Sequence, residues 1–356
     1  MIATALGFLS NTVTDDVDAR LEKFFTERTT LARSYGAQYP LLWDAARRAS
    51  EGGKRFRPLL VMRTHDELGG KNHEAAIEVA TAFELLHTAF LVHDDLIDHD
   101  DTRRGLPNLA GGESLRGQAA GLATTESELW GETSGILAGD LLIHFAQSMV
   151  ARIDLPHPQR LALLDCFDDS VFVTAAGELA DVALSAGLEN ADLSRVLAMS
   201  SHKTASYSFR GPLRAGAILA GASSETLELL DQYGALVGVA FQLRDDLLGV
   251  FGNEAATGKS ALNDFRENKA TALVAYARTT ASWSSVEHLL GEPNLTEEEA
   301  NLLRGMLELC GARSYVEVLI SGHVGDACGI IAASSLPATL RDGLIAVAHA
   351  SADRDA

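Results

Sequence analysis

The sequence predicts an all-α chain, and three observations carry that expectation. Alanine and leucine, both strong helix formers, dominate the composition. Runs of Val, Ile and Thr bounded by turn residues at regular spacing, the mark of sheet proteins, are missing from the sequence. Apolar residues recur instead mostly at three- to four-residue intervals, as in Val17, Leu21, Phe24, Phe25 and Leu31, set among Asp, Arg, Glu and Lys.

That amphipathic stretch reads as the opening helix, and comparable patterns continue almost to the end. Breakers fall at Glu51-Gly52-Gly53, Gly69-Gly70, Gly105 to Gly112, Pro156 to Pro158, Gly187, Gly252 to Gly258 and Gly291 to Pro293. They cut the chain into roughly ten helices of ordinary length. Leu109 to Gly135, rich in Gly, Ala, Ser, Thr and Glu, predicts a mobile loop insertion inside one domain spanning 1–356. No internal period signals a solenoid.

At 356 residues and 47% hydrophobic content the chain can bury a substantial core. A formal charge of -20 argues against nucleic-acid binding, which needs a basic face, so an anionic ligand must meet basic residues gathered locally. Cys166, Cys310 and Cys328 lie far apart in the sequence without CxxC spacing. Reduced thiols and a cytoplasmic location are the expectation. The start has no basic flank, which argues against a signal peptide, and no uninterrupted apolar stretch approaches the roughly 20 residues that span a bilayer.

The candidate chemistry begins where the apolar stretch from Phe83 ends in His93-Asp94-Asp95-Leu96-Ile97-Asp98. On a helix, Asp94 and Asp98 share one face with their Cβ atoms about 5–6 Å apart. Two such carboxylates repel, and a cation relieves them; Mg²⁺ commonly takes one or two carboxylates plus waters and phosphate oxygens. A solvated helix end has the same pattern, but Asp100, Asp101, Arg103 and Arg104 follow at once, putting metal-holding and phosphate-holding groups together. His87 lies two turns before Asp94 on the same stripe, where a core histidine would look identical. Phe241-Gln242-Leu243-Arg244-Asp245-Asp246 repeats the paired aspartates after a second apolar stretch. Basic residues stand in compact settings: Gly52 to Pro58 around Lys54 and Arg57, Lys203-Thr204, Lys259 and Lys269. Taken alone, the first of these also fits a solvated turn before a helix beginning near Pro58.

These residues resemble the trans-isoprenyl diphosphate synthases, or polyprenyl synthetases, from Gly52 to about Thr271. The motifs are GGKRFRP from Gly52, LLHTAFLVHDDLIDHDDTRRG from Leu85, LAGD from Leu137, HKT from His202, FQLRDD from Phe241 and the GKS…DFRENKAT stretch from Gly258. The resemblance implies the all-helical isoprenoid synthase fold around a central cavity, a homodimer, and condensation of isopentenyl diphosphate with an allylic diphosphate. Lys54, Arg57, His87 and Arg104 would bind isopentenyl diphosphate. Asp94, Asp98 and Asp245 look like ligands of three Mg²⁺ ions holding the allylic diphosphate, with Asp95 and Asp246 in support. Arg103, Lys203, Thr204, Gln242, Lys259 and Lys269 would contact or position that diphosphate.

Departures from the family pattern also stand in the sequence. Gly249 occupies a position where the family often has a third Asp of the second motif, and Asn253 supplies no carboxylate further on. The first motif lacks the two-residue insertion of many bacterial members. Residues four and five before the first Asp form the floor under the growing chain in this family, here Phe90 and Ala89. Products are then geranylgeranyl or farnesyl diphosphate, with geranylgeranyl favoured. A terpene cyclase shares the first acidic motif, but it calls for an Asn/Ser/Glu metal motif late in the chain and has little use for GGKRFRP. A regulatory subunit of a heteromeric synthase is expected to have lost its aspartates, whereas DDLID is intact.

Overall fold

The computed structural model describes residues 11–252 and 261–353. Among them helices predominate, and the strands are confined to one short ribbon, which bears out the all-α expectation. The described residues fall into two compact units, one within Leu9–Asp165 plus Ala215–Gly221 and the other within Cys166–Arg214 plus Ala222–Ala356.

The first unit contains α1 (Asn11–Ala32), α2 (Gln38–Ser50), α3 (Phe56–Glu67), α4 (His73–Ile97), α5 (Leu109–Ala119) and α6 (Thr124–Ala151). Helix α4 is its centre, packed against α6 and α3. Asn72 starts it by accepting a hydrogen bond from the Ala75 N–H, satisfying one of the orphan donors of the first turn. Val79, Phe83, Leu85, Leu86, Ala89 and Val92 are buried, so the helix is apolar on most sides and its polar exceptions carry information. Small residues on α6 let it approach closely: a Cβ at Gly135 would lie 2.8 Å from Leu96 Cδ1, and one at Gly139 would collide with the His93 ring.

Two departures from the sequence reading occur here. Thr102–Arg103 (β1) pairs antiparallel with Leu106–Pro107 (β2). The two-residue loop has φ 55° at Arg104 and 74° at Gly105, both left-handed, as a tight hairpin turn of the primed type requires. Leu109–Gly135 is not a loop but α5 and the opening of α6. Asn108 caps α5 by accepting from the Gly111 N–H. Glu113 of α5 is buried and accepts from Arg116 of the same helix and, at 3.1 Å, from Trp130 Nε1 of α6. The Gly and Ser content reflects close helix packing, since a Cβ at Gly131 would collide with the Ala110 carbonyl. Helix α3 likewise starts at Phe56, two residues before Pro58, which occupies the first turn where its missing N–H costs little.

Helices α7 (His157–Ser185) and α9 (Gly211–Ala220) contribute residues to both units. The second unit also holds α8 (Leu193–Ser200), a π-helical segment Ser201–Arg210, α10 (Ser224–Phe251), α11 (Ala261–Arg266), α12 (Ala272–Ala277), α13 (Glu297–Leu309), α14 (Ala312–Ala332) and α15 (Ala338–Ala352). Helix α10 is central, packing on the π-helical segment and α14. Tyr233 of α10 is fully buried and its hydroxyl donates to the Leu344 carbonyl at 2.7 Å. Cys166, Cys310 and Cys328 are free thiols.

By length and composition alone, α4, α6 and α14 are long and apolar enough to cross a membrane. Glu84 and His87 interrupt the apolar run of α4, so its sequence holds no unbroken apolar stretch of that length. Within the protein, 72% of the apolar window of α4 is already buried, against 44% for α6 and 28% for α14. The apolar character of α4 is therefore largely spent on the core.

Candidate active site

Asp94 closes the last turn of α4, and Asp98 caps it, its N–H donating to the Asp94 carbonyl at 2.8 Å. Their carboxylate oxygens come within 4.8 Å of each other. An oxygen-only donor pair at that spacing suits a hard cation such as Mg²⁺, which keeps waters and takes phosphate oxygens for the remainder. Asp95 points elsewhere and is buried, accepting from Arg103 Nη2 at 2.6 Å and Nε at 2.9 Å; Arg103 Nη2 also reaches Asp94 Oδ2 at 3.3 Å. Burial raises the Asp95 pKa against the pull of Arg103. Arg103 is itself held charged: burial opposes the charge, but Asp95 and Asp94 outweigh it. The hairpin thus binds its own arginine to the acidic end of α4.

One face of that arrangement is strongly basic. His87 titrates well below the usual histidine range, first because of burial and then because Arg57, Arg103, Arg104 and Arg55 surround it with positive charge. A neutral imidazole among four guanidinium groups can donate a hydrogen bond to an anion without adding charge. The Gly52-Gly53 turn, with φ 75° and 80°, brings the loop against Arg104. A Cβ at Gly52 would sit 3.3 Å from Arg104 Nη1. Arg57 lies in the first turn of α3, and Lys54 is exposed at the loop. The structure therefore gathers Arg57, His87, Arg103 and Arg104 around one locus, the local basic cluster that an acidic protein needs to hold an anion.

In the second unit the functional groups centre on the π-helical segment. Its widened turn presents Lys203 to α7, where Nζ meets Asp181 at 2.7 Å and Glu178 at 3.0 Å. The approach depends on Gly177, since a Cβ there would collide with the Lys203 backbone N–H group. Thr204 Oγ1 donates to Gln242 Oε1 at 2.5 Å, and Gln242 Nε2 donates to Asp246 Oδ1 at 2.8 Å. Burial pushes the Asp246 carboxyl up to about 7; the Gln242 hydrogen bond opposes the shift, and Asp245, Asp264 and Asp181 add to it. Asp245 projects from an exposed position on α10. Lys269 pairs with Glu267 at 3.1 Å and Asp264 at 3.7 Å. Lys259 and Asn253 lie outside the described residues.

A polyprenyl synthetase family model matches residues 40–305. The chain belongs to the polyprenyl synthetase family. A geranylfarnesyl diphosphate synthase of Aeropyrum pernix is 33% identical over 270 residues, 75% of this chain and 79% of that protein. A (2E,6E)-farnesyl diphosphate synthase of Mycobacterium tuberculosis is 31% identical over 312 residues, 85% and 80% of the two chains. Among solved structures, a geranylgeranyl pyrophosphate synthase from Corynebacterium glutamicum, complexed with isoprenyl diphosphate and magnesium, superposes with TM-score 0.88 at 30% identity. It covers 95% of this chain and 97% of that one.

Within this polyprenyl synthetase, several participants escaped the sequence reading. Arg55 and Glu84 form a short ion pair, 2.6 Å, beside the basic cluster. Glu84 stands three residues before His87, an interval that puts both on one helix face. Glu178 and Asp181, also three apart, hold Lys203. Gly249 has a local reason: a Cβ there would collide with Asp264 Oδ2, so the glycine leaves room for the Asp264 carboxylate against α10. Ala89 is fully buried and Phe90 only partly so, one turn before Asp94.

Proposed function

We propose that this polyprenyl synthetase is a prenyltransferase that condenses isopentenyl diphosphate with an allylic diphosphate, dimethylallyl, geranyl or farnesyl, to give geranylgeranyl or farnesyl diphosphate. The observation that carries the reading is the convergence of Arg57, Arg103 and Arg104 on a neutral His87, beside the carboxylates of Asp94 and Asp98. Carboxylates hold a diphosphate through a cation, whereas arginines bind one directly. Two neighbouring subsites of opposite charge suit two diphosphate substrates better than the one of a terpene cyclase.

Asp94, Asp98 and Asp245 would hold Mg²⁺, three ions in all, whose charge offsets that developing on the departing diphosphate. Lys203, Lys259 and Lys269 add positive charge to the same leaving group, and Thr204 and Gln242 orient it. Arg103, anchored by Asp95, presents its guanidinium between the acidic and basic faces. Lys54, Arg57, His87 and Arg104 hold isopentenyl diphosphate with its double bond toward the allylic carbon. Cleavage of the allylic carbon–oxygen bond leaves a cation that the double bond captures. The released diphosphate removes the proton, so no dedicated base is required. Ala89 and Phe90 stand one helical turn below Asp94 and limit the length of the chain that grows past them.

The active protein is proposed to be a cytoplasmic homodimer that neither spans a membrane nor binds nucleic acid. The dimer reading is supported by large apolar side chains left exposed, Leu129 and Ile136 on α6 and Phe172 and Leu179 on α7.

The test is incubation of purified protein with Mg²⁺, isopentenyl diphosphate and each allylic diphosphate in turn, with products sized by mass spectrometry. Magnesium-dependent elongation that disappears in Asp94→Ala is the expected result. An absence of elongation with every allylic substrate would refute the function.

A further inference from the structure

Arg55 sits between two residues of the basic cluster, Lys54 and Arg57, yet its own guanidinium is turned into the protein. The side chain is only 10% exposed. Its Nε donates to Asp18 Oδ1 of α1 at 2.7 Å. Its Nη1 donates to the Ser50 carbonyl at the end of α2 at 2.8 Å and to Glu84 Oε1 of α4 at 2.6 Å. One side chain therefore ties three helices to the loop that precedes α3.

The backbone at Arg55 makes the same point independently. It has φ 48° and ψ 37°, a left-handed conformation that a long side chain rarely adopts, and it follows Gly52 and Gly53, both also at positive φ. Such a conformation persists where surrounding contacts over-determine it. Arg55 is also the residue from which α3 starts: its carbonyl accepts from the Leu59 N–H. Its backbone thus sets the direction of Arg57, and the preceding peptide sets that of Lys54. At the far end of the clamp, Glu84 is 7% exposed and lies one turn before His87 on α4.

We propose that Arg55, anchored on Glu84, is a positioning residue that holds Lys54 and Arg57 in register with His87 and so builds the isopentenyl diphosphate subsite without touching that substrate. Glu84 serves the pair in a second way. Its carboxylate offsets the Arg55 charge beside a cluster already carrying Arg57, Arg103 and Arg104. The inference rests on the proposed condensation for the identity of the ligand.

The experiment is a calorimetric titration of the full chain with isopentenyl diphosphate in EDTA, where the carboxylate subsite has no cation to recruit a diphosphate. It is paired with steady-state KM values for both substrates in Mg²⁺. Arg55→Ala should weaken metal-free binding at least tenfold and raise KM for isopentenyl diphosphate by a similar factor. KM for the allylic diphosphate should stay within about twofold. Arg55→Lys, which keeps charge and stem but not the fork, should fall between Arg55→Ala and the parent and stands in if the alanine variant does not fold. A variant that melts like the parent and binds isopentenyl diphosphate equally well would overturn the clamp. So would an equal rise in both KM values, the signature of a general structural role. If the parent chain shows no turnover, the proposed function fails, while the metal-free titration still decides the clamp.

Discussion

Restoring an aspartate at position 249 should damage the protein rather than improve it. Motif comparison alone suggests that Gly249→Asp would repair a weakened metal site. The structure argues the reverse, because the new Cβ would collide with Asp264 Oδ2. The atom in the way is the tip of the Asp264 side chain, so a rotation of that carboxylate relieves the overlap at about 0.5–1 kcal/mol. The new carboxylate would also face Asp264. Two unit charges about 4 Å apart at an effective dielectric near 20 repel by about 4 kcal/mol, of which solvent screening leaves about 1–2; Asp264 is 20% exposed. Replacing glycine in a helix returns only about 0.3 kcal/mol. The net effect is a loss of about 1–3 kcal/mol, most of it from charge repulsion, and a melting temperature lower by on the order of 3 °C. Scanning calorimetry in EDTA reads the loss directly, and repetition in Mg²⁺ with a diphosphate analogue shows how much a bound cation recovers. An unchanged melting temperature in EDTA together with tighter Mg²⁺ binding would refute the reasoning.

Three further outcomes are expected. Phe90→Ala should lengthen the products seen by chromatography, and an unchanged product distribution would assign Phe90 to core packing. Gly177→Ala should push the π-helical segment off α7 and displace Lys203; a loss in kcat of at least tenfold is expected, with KM for isopentenyl diphosphate little changed. Because the folded His87 titrates well below 6.5, the unfolded chain binds more protons as pH drops below that value, and stability falls with acid by at most about 1.4 kcal/mol per pH unit. The raised Asp246 acts with opposite sign, losing stability as pH rises toward about 7. Melting curves in EDTA from pH 7 to pH 5 should therefore lose part of their acid slope in His87→Gln, and an identical slope would refute the assignment.

Much of the chemistry was legible in the linear chain because it is local. The pairing of Asp94 with Asp98 follows from four-residue spacing on a helix, and the caps and turn glycines obey rules that act over a few residues. Whether His87 is an ordinary core histidine is not decided that way, since burial first, and then four arginines from two other segments of the chain, set its charge state. The segment Leu109–Gly135 was misread for a related reason. Its glycines and serines look like loop composition, yet they permit contact between α5 and α6 that exists only after folding.

The all-helical class, the family and the residue types at the acidic and basic motifs follow from the order of residues along the chain, because short-range periodicity and ordered motifs carry them. Tertiary structure alone decided that Arg103 is fastened to Asp95, that Arg55 ties its loop to Glu84, that Lys203 lies on a π-helical turn against Gly177, and that Gly249 makes room for Asp264. Each of these depends on the distance between segments far apart in the chain. That distance is set by side-chain volume and charge across a packed interface, which spacing along a single segment does not encode.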